Sequence, residues 1–131
     1  MEEAEGRDRG RRALGAAGEA EAARYLEQRG YRIIEANVRC RLGEIDLVAM
    51  DGRVVVFVEV KGNRGGRHGA PEEMVTPAKQ HRLTRLAIWY LQRSGWLWRP
   101  ARFDVVAVDW DPAGVPVVRH IPDAFPAAGA W

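Results

Sequence analysis

Hydrophobic and polar positions alternate along this chain in two ways, and the change from one to the other marks its elements. From about Ala13 to Arg29 the apolar residues Leu14, Gly18, Ala22, Tyr25 and Leu26 recur at helical spacing, and Gly30 offers a stop. Three short apolar runs follow: Tyr31 to Val38, Gly43 to Met50 and Arg53 to Lys61. Their length and β-branched content predict strands. Asp51-Gly52 between the second and third is a two-residue hairpin signal. A glycine-rich stretch from Gly62 to Val75 reads as a loop. Thr76-Pro77 then opens a second helix, with threonine at N-cap and proline at N1. It carries Leu83, Leu86, Ala87, Tyr90 and Leu91 on one side and ends near Gly95. Arg102 to Trp110 is a fourth strand, and Val115 to His120 suits a short edge strand. The order α-β-β-β-α-β predicts an α/β fold with a mixed central sheet flanked by helices.

Residues 1–12, polar and charged, read as a flexible tail. Residues 13–120 then form a single domain and 121–131 a second tail. A length of 131 residues suits one domain with its own core, and one cysteine, Cys40, excludes a disulfide scaffold and a multi-thiolate zinc site. No apolar run is long enough for a membrane span, and the polar start lacks a signal-peptide core. A cytoplasmic protein with no membrane partner is expected. The net charge of +2 mildly favours a polyanionic partner. Of 20 basic residues only Lys61 and Lys79 are lysines, so each merits inspection where a compact ammonium would serve.

The chemistry gathers at the hairpin. A two-residue loop at 51–52 sets Met50 opposite Arg53, Asp46 opposite Phe57 and Glu44 opposite Glu59. Glu44, Asp46, Glu59 and Lys61 then project from one face, while Ile45, Leu47, Val54, Val56, Val58 and Val60 form the apolar other. Crowded carboxylates repel unless a cation sits among them or some keep a proton. Oxygen donors of this kind suit Mg²⁺ or Mn²⁺ better than zinc. Lys61 reaches the same pocket and can orient or deprotonate a water. Glu59-x-Lys61 equally reads as a surface ion pair, but the apolar strand before it argues for a central position. Glu19 and Gln80 lie at the rims of their helices' apolar faces, and Lys79 sits beside a helix N-terminus suited to phosphate.

The segments GEIDLV, FVEVK and a helix carrying KQ resemble the PD-(D/E)xK nuclease superfamily. More narrowly, GxxGExxAxxYL, NxRxxxGEIDLV, FVEVK and PAKQxRL, spanning roughly Gly15 to Asp109, resemble the YraN-like family of small bacterial proteins with a Holliday-junction-resolvase-like fold. Ile45 stands where the superfamily name has proline. The resemblance implies a restriction-endonuclease-like core and matches Glu19 to the helix glutamate, Asp46 to the metal-binding aspartate, Glu59 and Lys61 to the E-x-K pair and Gln80 to the helix glutamine. The resulting expectation is a Mg²⁺-dependent (or Mn²⁺-dependent) endonuclease acting on DNA, branched or structured DNA included. Asp46 and Glu59 hold the metal with the Val60 carbonyl as a further ligand. Lys61 assists the attacking water, Glu19 holds a water or second cation, and Gln80 orients Lys61 or a phosphate.

Arg39, Arg41, Arg64, Arg67, Lys79 and Arg82 would line a basic nucleic-acid rim, with His68 in the same loop; an ordinary arginine-rich surface is the other reading. The alternative function is a nucleic-acid-binding module on the same fold that does not cut. Trp96 and Trp98, just past the second helix, suit a homodimer surface.

Overall fold

The computed structural model describes residues 2–64 and 75–128 (for 2–14 and 64, the backbone course alone). Its elements run α1 (Glu2–Gln28), β1 (Arg32–Cys40), β2 (Gly43–Asp51), β3 (Val54–Arg64), α2 (Pro77–Ser94), β4 (Ala101–Trp110) and β5 (Pro116–Phe125). The five strands form one sheet in the order β1-β2-β3-β4-β5. Only β3 and β4 pair in parallel; the other neighbours are antiparallel. Parallel neighbours need a long crossover, and the connection that carries α2 provides it. The expected mixed α/β architecture is what the chain adopts, with β3 at the centre.

Each face of the sheet is covered. On one, Ala22 and Leu26 of α1 pack with Leu47, Ala49, Val56, Val58, Val106 and Val108. On the other, Leu83, Leu86, Tyr90 and Leu91 of α2 pack with Val48, Met50, Val55, Phe57, Phe103 and Val105. Burial on both faces explains why β3 reads as a continuous apolar run instead of an alternating one. Each fully buried leucine contributes roughly 2 kcal/mol by transfer from water. The second helix begins and ends where its sequence indicates. Thr76 Oγ1 accepts the Lys79 amide, and Gly95 takes the left-handed conformation at the far end.

Three expectations need correction. The first helix begins at Glu2, not near Ala13, so the segment expected as a flexible tail carries helical backbone. Glu, Ala and Arg, which make up most of that segment, are good helix formers. At the other end, β5 runs past His120 to Phe125, into the segment expected as a tail. A register irregularity between Phe103 and Val105 lets it re-pair, and the Phe125 ring stacks on Phe103 at 4.9 Å.

The hairpin register is also shifted. Asp51 pairs with Val54, so the two loop residues are Gly52 and Arg53, with Gly52 at φ 59°. Positive φ at the first central position suits glycine as in a type II′ turn. The shift is two residues, so facing positions keep their face, but Asp46 now stands across from Glu59 in the continued register. Among the described residues no helix is long and apolar enough to cross a membrane.

A candidate metal and phosphate site

The backbone pairs of β2 and β3 end at Leu47 and Val58. Beyond them the Asp46 side chain takes over, its Oδ2 accepting the Val60 amide at 2.8 Å. On the other side of β2, Ala36 pairs with Leu47 and Val38 with Ile45, and Asn37 between them adopts φ 53°. A left-handed residue there interrupts the pleat. Leu47 packs with the α1-side core, whereas Val38 and Ile45 pack with the α2-side core. The alternation of β1 and β2 therefore changes phase at Asn37 and Asp46. This corrects the expected single apolar face, because Ile45 lies on the opposite side of the sheet from Leu47. It also directs Asp46 into the opening between β2 and β3.

Acidic side chains from two elements meet Asp46 there. Glu19 from α1, Glu44 and Asp46 each offer a carboxylate oxygen, and the three lie within 4.8 Å of one another. Glu19 hydrogen-bonds Asn37, which ties the α1 residue to the irregular turn of β1. Arg39 lies 3.5 Å from Glu44, but at 74% exposure it offers little compensation. Burial, then the Glu59 charge, then Glu19 push the Asp46 carboxyl up to about 7, against the Val60 amide and the Lys79 charge that favour its ionised form. Burial and Glu44 likewise raise Glu19 above the usual carboxylate range, although its bond to Asn37 opposes the shift. The site holds more negative charge than its neighbours balance. Hard oxygen donors at this spacing, lacking counter-charge, fit Mg²⁺ or Mn²⁺.

Glu59 stands outside that trio. It projects from β3 on the α2 side with its side chain only 6% exposed. One of its oxygens, Oε1, receives both lysines of the chain: Lys79 Nζ at 2.5 Å and Lys61 Nζ at 3.5 Å. Burial lowers Lys61 below the usual lysine value, with Glu59 opposing. Burial also acts on Lys79, but Glu59 outweighs it and the net shift is upward.

The remaining expected residues divide. The Gln80 amide donates to the Val75 carbonyl at 3.0 Å, so it closes the start of α2 instead of reaching Lys61. The Val60 group that meets Asp46 is the amide. Arg39, Arg41 and Arg82 are exposed. The side chains of Arg64, Arg67 and His68 lie outside the described residues. Trp96 packs toward Tyr90, with ring centroids 6.4 Å apart, while Trp98 is exposed at the end of α2 away from the acidic trio. Glu44, read from the sequence as part of the acidic face, joins Glu19 and Asp46, and the Lys79–Glu59 pair is the addition that geometry makes. Its only sequence signal was the scarcity of lysine.

Residues 18–108 match the family described as "Uncharacterised protein family UPF0102". A UPF0102 protein of Symbiobacterium thermophilum is 57% identical over 116 residues, covering 88% of this chain and 98% of that protein. One from Geotalea uraniireducens is 46% identical over 117 residues, covering 89% and 92%. Another from Geobacter sulfurreducens is 48% identical over 115 residues, covering 88% and 90%. Matched by the family model over residues 18–108 and by relatives at this identity along most of their length, the chain belongs to the UPF0102, or YraN-like, family.

Proposed function

We propose that this protein is a metal-dependent phosphodiesterase acting on DNA, branched or structured DNA included. The observation that carries the reading is the meeting of Glu19, Glu44 and Asp46 within 4.8 Å, beside a Glu59 that gathers both lysines. Asp46 with Glu19 and Glu44 would hold the cation, and Glu59 adds negative charge from the neighbouring strand. When bound, a divalent cation neutralises charge developing on a phosphodiester and acidifies water.

The chain's own groups do the rest. Lys61 faces the phosphate and stabilises the charge that builds as a water oxygen bonds to phosphorus and a P–O ester bond breaks. The attacking water gives up a proton to bulk water, and the departing alkoxide takes one up from bulk water. Gln80 steadies the first turn of α2, and Arg39, Arg41 and Arg82 supply an exposed cationic rim for flanking phosphates.

The test is incubation of purified protein with Mg²⁺ or Mn²⁺ and a panel of duplex, flap and four-way DNA. Cleavage that disappears in Asp46→Ala supports the reading. No cleavage above that control counts against it. Salt-dependent DNA binding without turnover would point instead to a binding module that does not cut.

A further inference from the structure

Both lysines of the chain converge on a single oxygen of a buried carboxylate, and they do so unequally. Lys79 Nζ sits 2.5 Å from Glu59 Oε1 and Lys61 Nζ 3.5 Å from the same atom. The two arrive from different elements, Lys61 from β3 and Lys79 from the first turn of α2. Lys79 is further fixed because its own backbone amide caps onto Thr76 Oγ1 at 3.3 Å. The Gln80 side chain anchors the same turn to Val75. In a chain otherwise furnished with arginine, the two ammonium groups are compact point charges, and here they share one oxygen.

An ionised carboxylate as buried as Glu59 is costly without a cation nearby. The nearer and better anchored lysine meets that need, so the farther one is released from it. We infer that Lys79 is a positioning residue: it serves as the standing counter-ion of Glu59 and leaves Lys61 free to turn toward an incoming phosphate. This rests on the phosphodiesterase reading for the identity of the phosphate, but the division of labour between the lysines stands on the contacts themselves. It also gives Lys79 a different role from the direct phosphate contact expected at a helix N-terminus.

Because the chain has two lysines, a ¹⁵N-labelled sample gives two lysine ammonium signals, assigned through Lys61→Met and Lys79→Met. In metal-free protein without DNA, the Lys79 ammonium protons should exchange with water several-fold more slowly than those of Lys61. In Lys79→Met, Lys61 should take over Glu59 and its exchange should slow several-fold. Equal exchange rates in the wild type, or an unchanged Lys61 rate in that variant, would overturn the inference. If Lys79→Met does not fold, Glu59→Gln decides: it should speed Lys79 exchange, and no change there would be equally damaging.

A short DNA duplex added with Ca²⁺ then tests the underlying reading separately. A shift of the Lys61 signal with Lys79 unmoved supports both. A shift confined to Lys79 overturns the assignment of roles. Silence of both signals counts against DNA as the substrate while the DNA-free rates still decide between the lysines.

Discussion

Two aspartates of this sheet sit in similar sequence, Asp46 in GEIDLV and Asp104 in RFDVVAV, yet their surroundings are opposite. Asp104 is fully buried and fully answered. Its Oδ1 accepts Arg102 Nε at 3.0 Å and the Asp123 amide at 2.9 Å, and its Oδ2 accepts His120 Nε2 at 2.7 Å. Arg102 reaches on to the hydroxyl of Tyr31, the residue just before β1, and to Asp51 of β2, so β2, β4, β5 and the start of β1 are laced together at that end of the sheet. Burial acts to raise Asp104, but His120, Arg102 and the Asp123 amide overcome it and its carboxyl lies below the usual range. Among the described residues Asp46 accepts one hydrogen bond, from the Val60 amide, and it has acids for neighbours and is pushed up to about 7. A satisfied network holds strands together, whereas a crowd of acids stores repulsion that a ligand can relieve. Geometry, not residue type, separates a satisfied aspartate from one crowded by acids.

The sharpest break between the two regions is predicted at the closed one. Asp104→Ala strands Arg102 and His120 in the interior, and chemical denaturation should register a loss of about 3–5 kcal/mol. A smaller effect of opposite sign is expected at the open one. The raised Asp46 carboxyl keeps, in the folded state, a proton that the unfolded chain releases near 3.8. Stability therefore falls as pH rises from about 4 to about 7, and ionised Asp46 is a liability above that window. Without metal, Asp46→Asn should gain about 1–2 kcal/mol at pH 8, and the gain should shrink toward zero near pH 4. Asp104 works the other way: its contribution is present above the ordinary aspartate value of 3.8 and is lost as pH falls below it through the depressed folded value. Smallest of all, Arg39→Ala removes an exposed partner of Glu44, and thermal unfolding should shift by less than about 0.5 kcal/mol.

The contrast also shows what could be read without coordinates. Helix 2 was legible to the residue because Thr76, Pro77 and Gly95 each act locally through cap geometry. The order of elements along the chain followed from runs such as RVVVFVEV, whose burial on both faces leaves a strong imprint. The hairpin register was legible only to within two residues. Asp51-Gly52 marks a turn, but whether Asp51 enters the loop or closes it depends on which residue takes positive φ.

Long-range effects left less trace. Asn37 looks like any strand residue until its left-handed backbone redirects the pleat, and that change turns Ile45 to the α2 side. The carboxylates were legible as a group, since Glu44, Asp46 and Glu59 alternate along a hairpin. How they partition was not. The split between the Glu19–Glu44–Asp46 trio and the Glu59–lysine pair depends on where two helices place Glu19 and Lys79. The fate of Asp104 was equally hidden, because its partners His120 and Asp123 come from a strand that sequence alone ended too early.

In this reading the open cluster is a cation site built around Asp46. Thermal unfolding at pH 8 during a Mn²⁺ titration tests it most directly, with wild type and Asp46→Asn side by side. The wild type should be stabilised progressively, by about 2.7 kcal/mol at a hundred times the dissociation constant, while Asp46→Asn starts higher and stays flat. A wild-type curve that ignores Mn²⁺, or a variant that responds just as strongly, would contradict it.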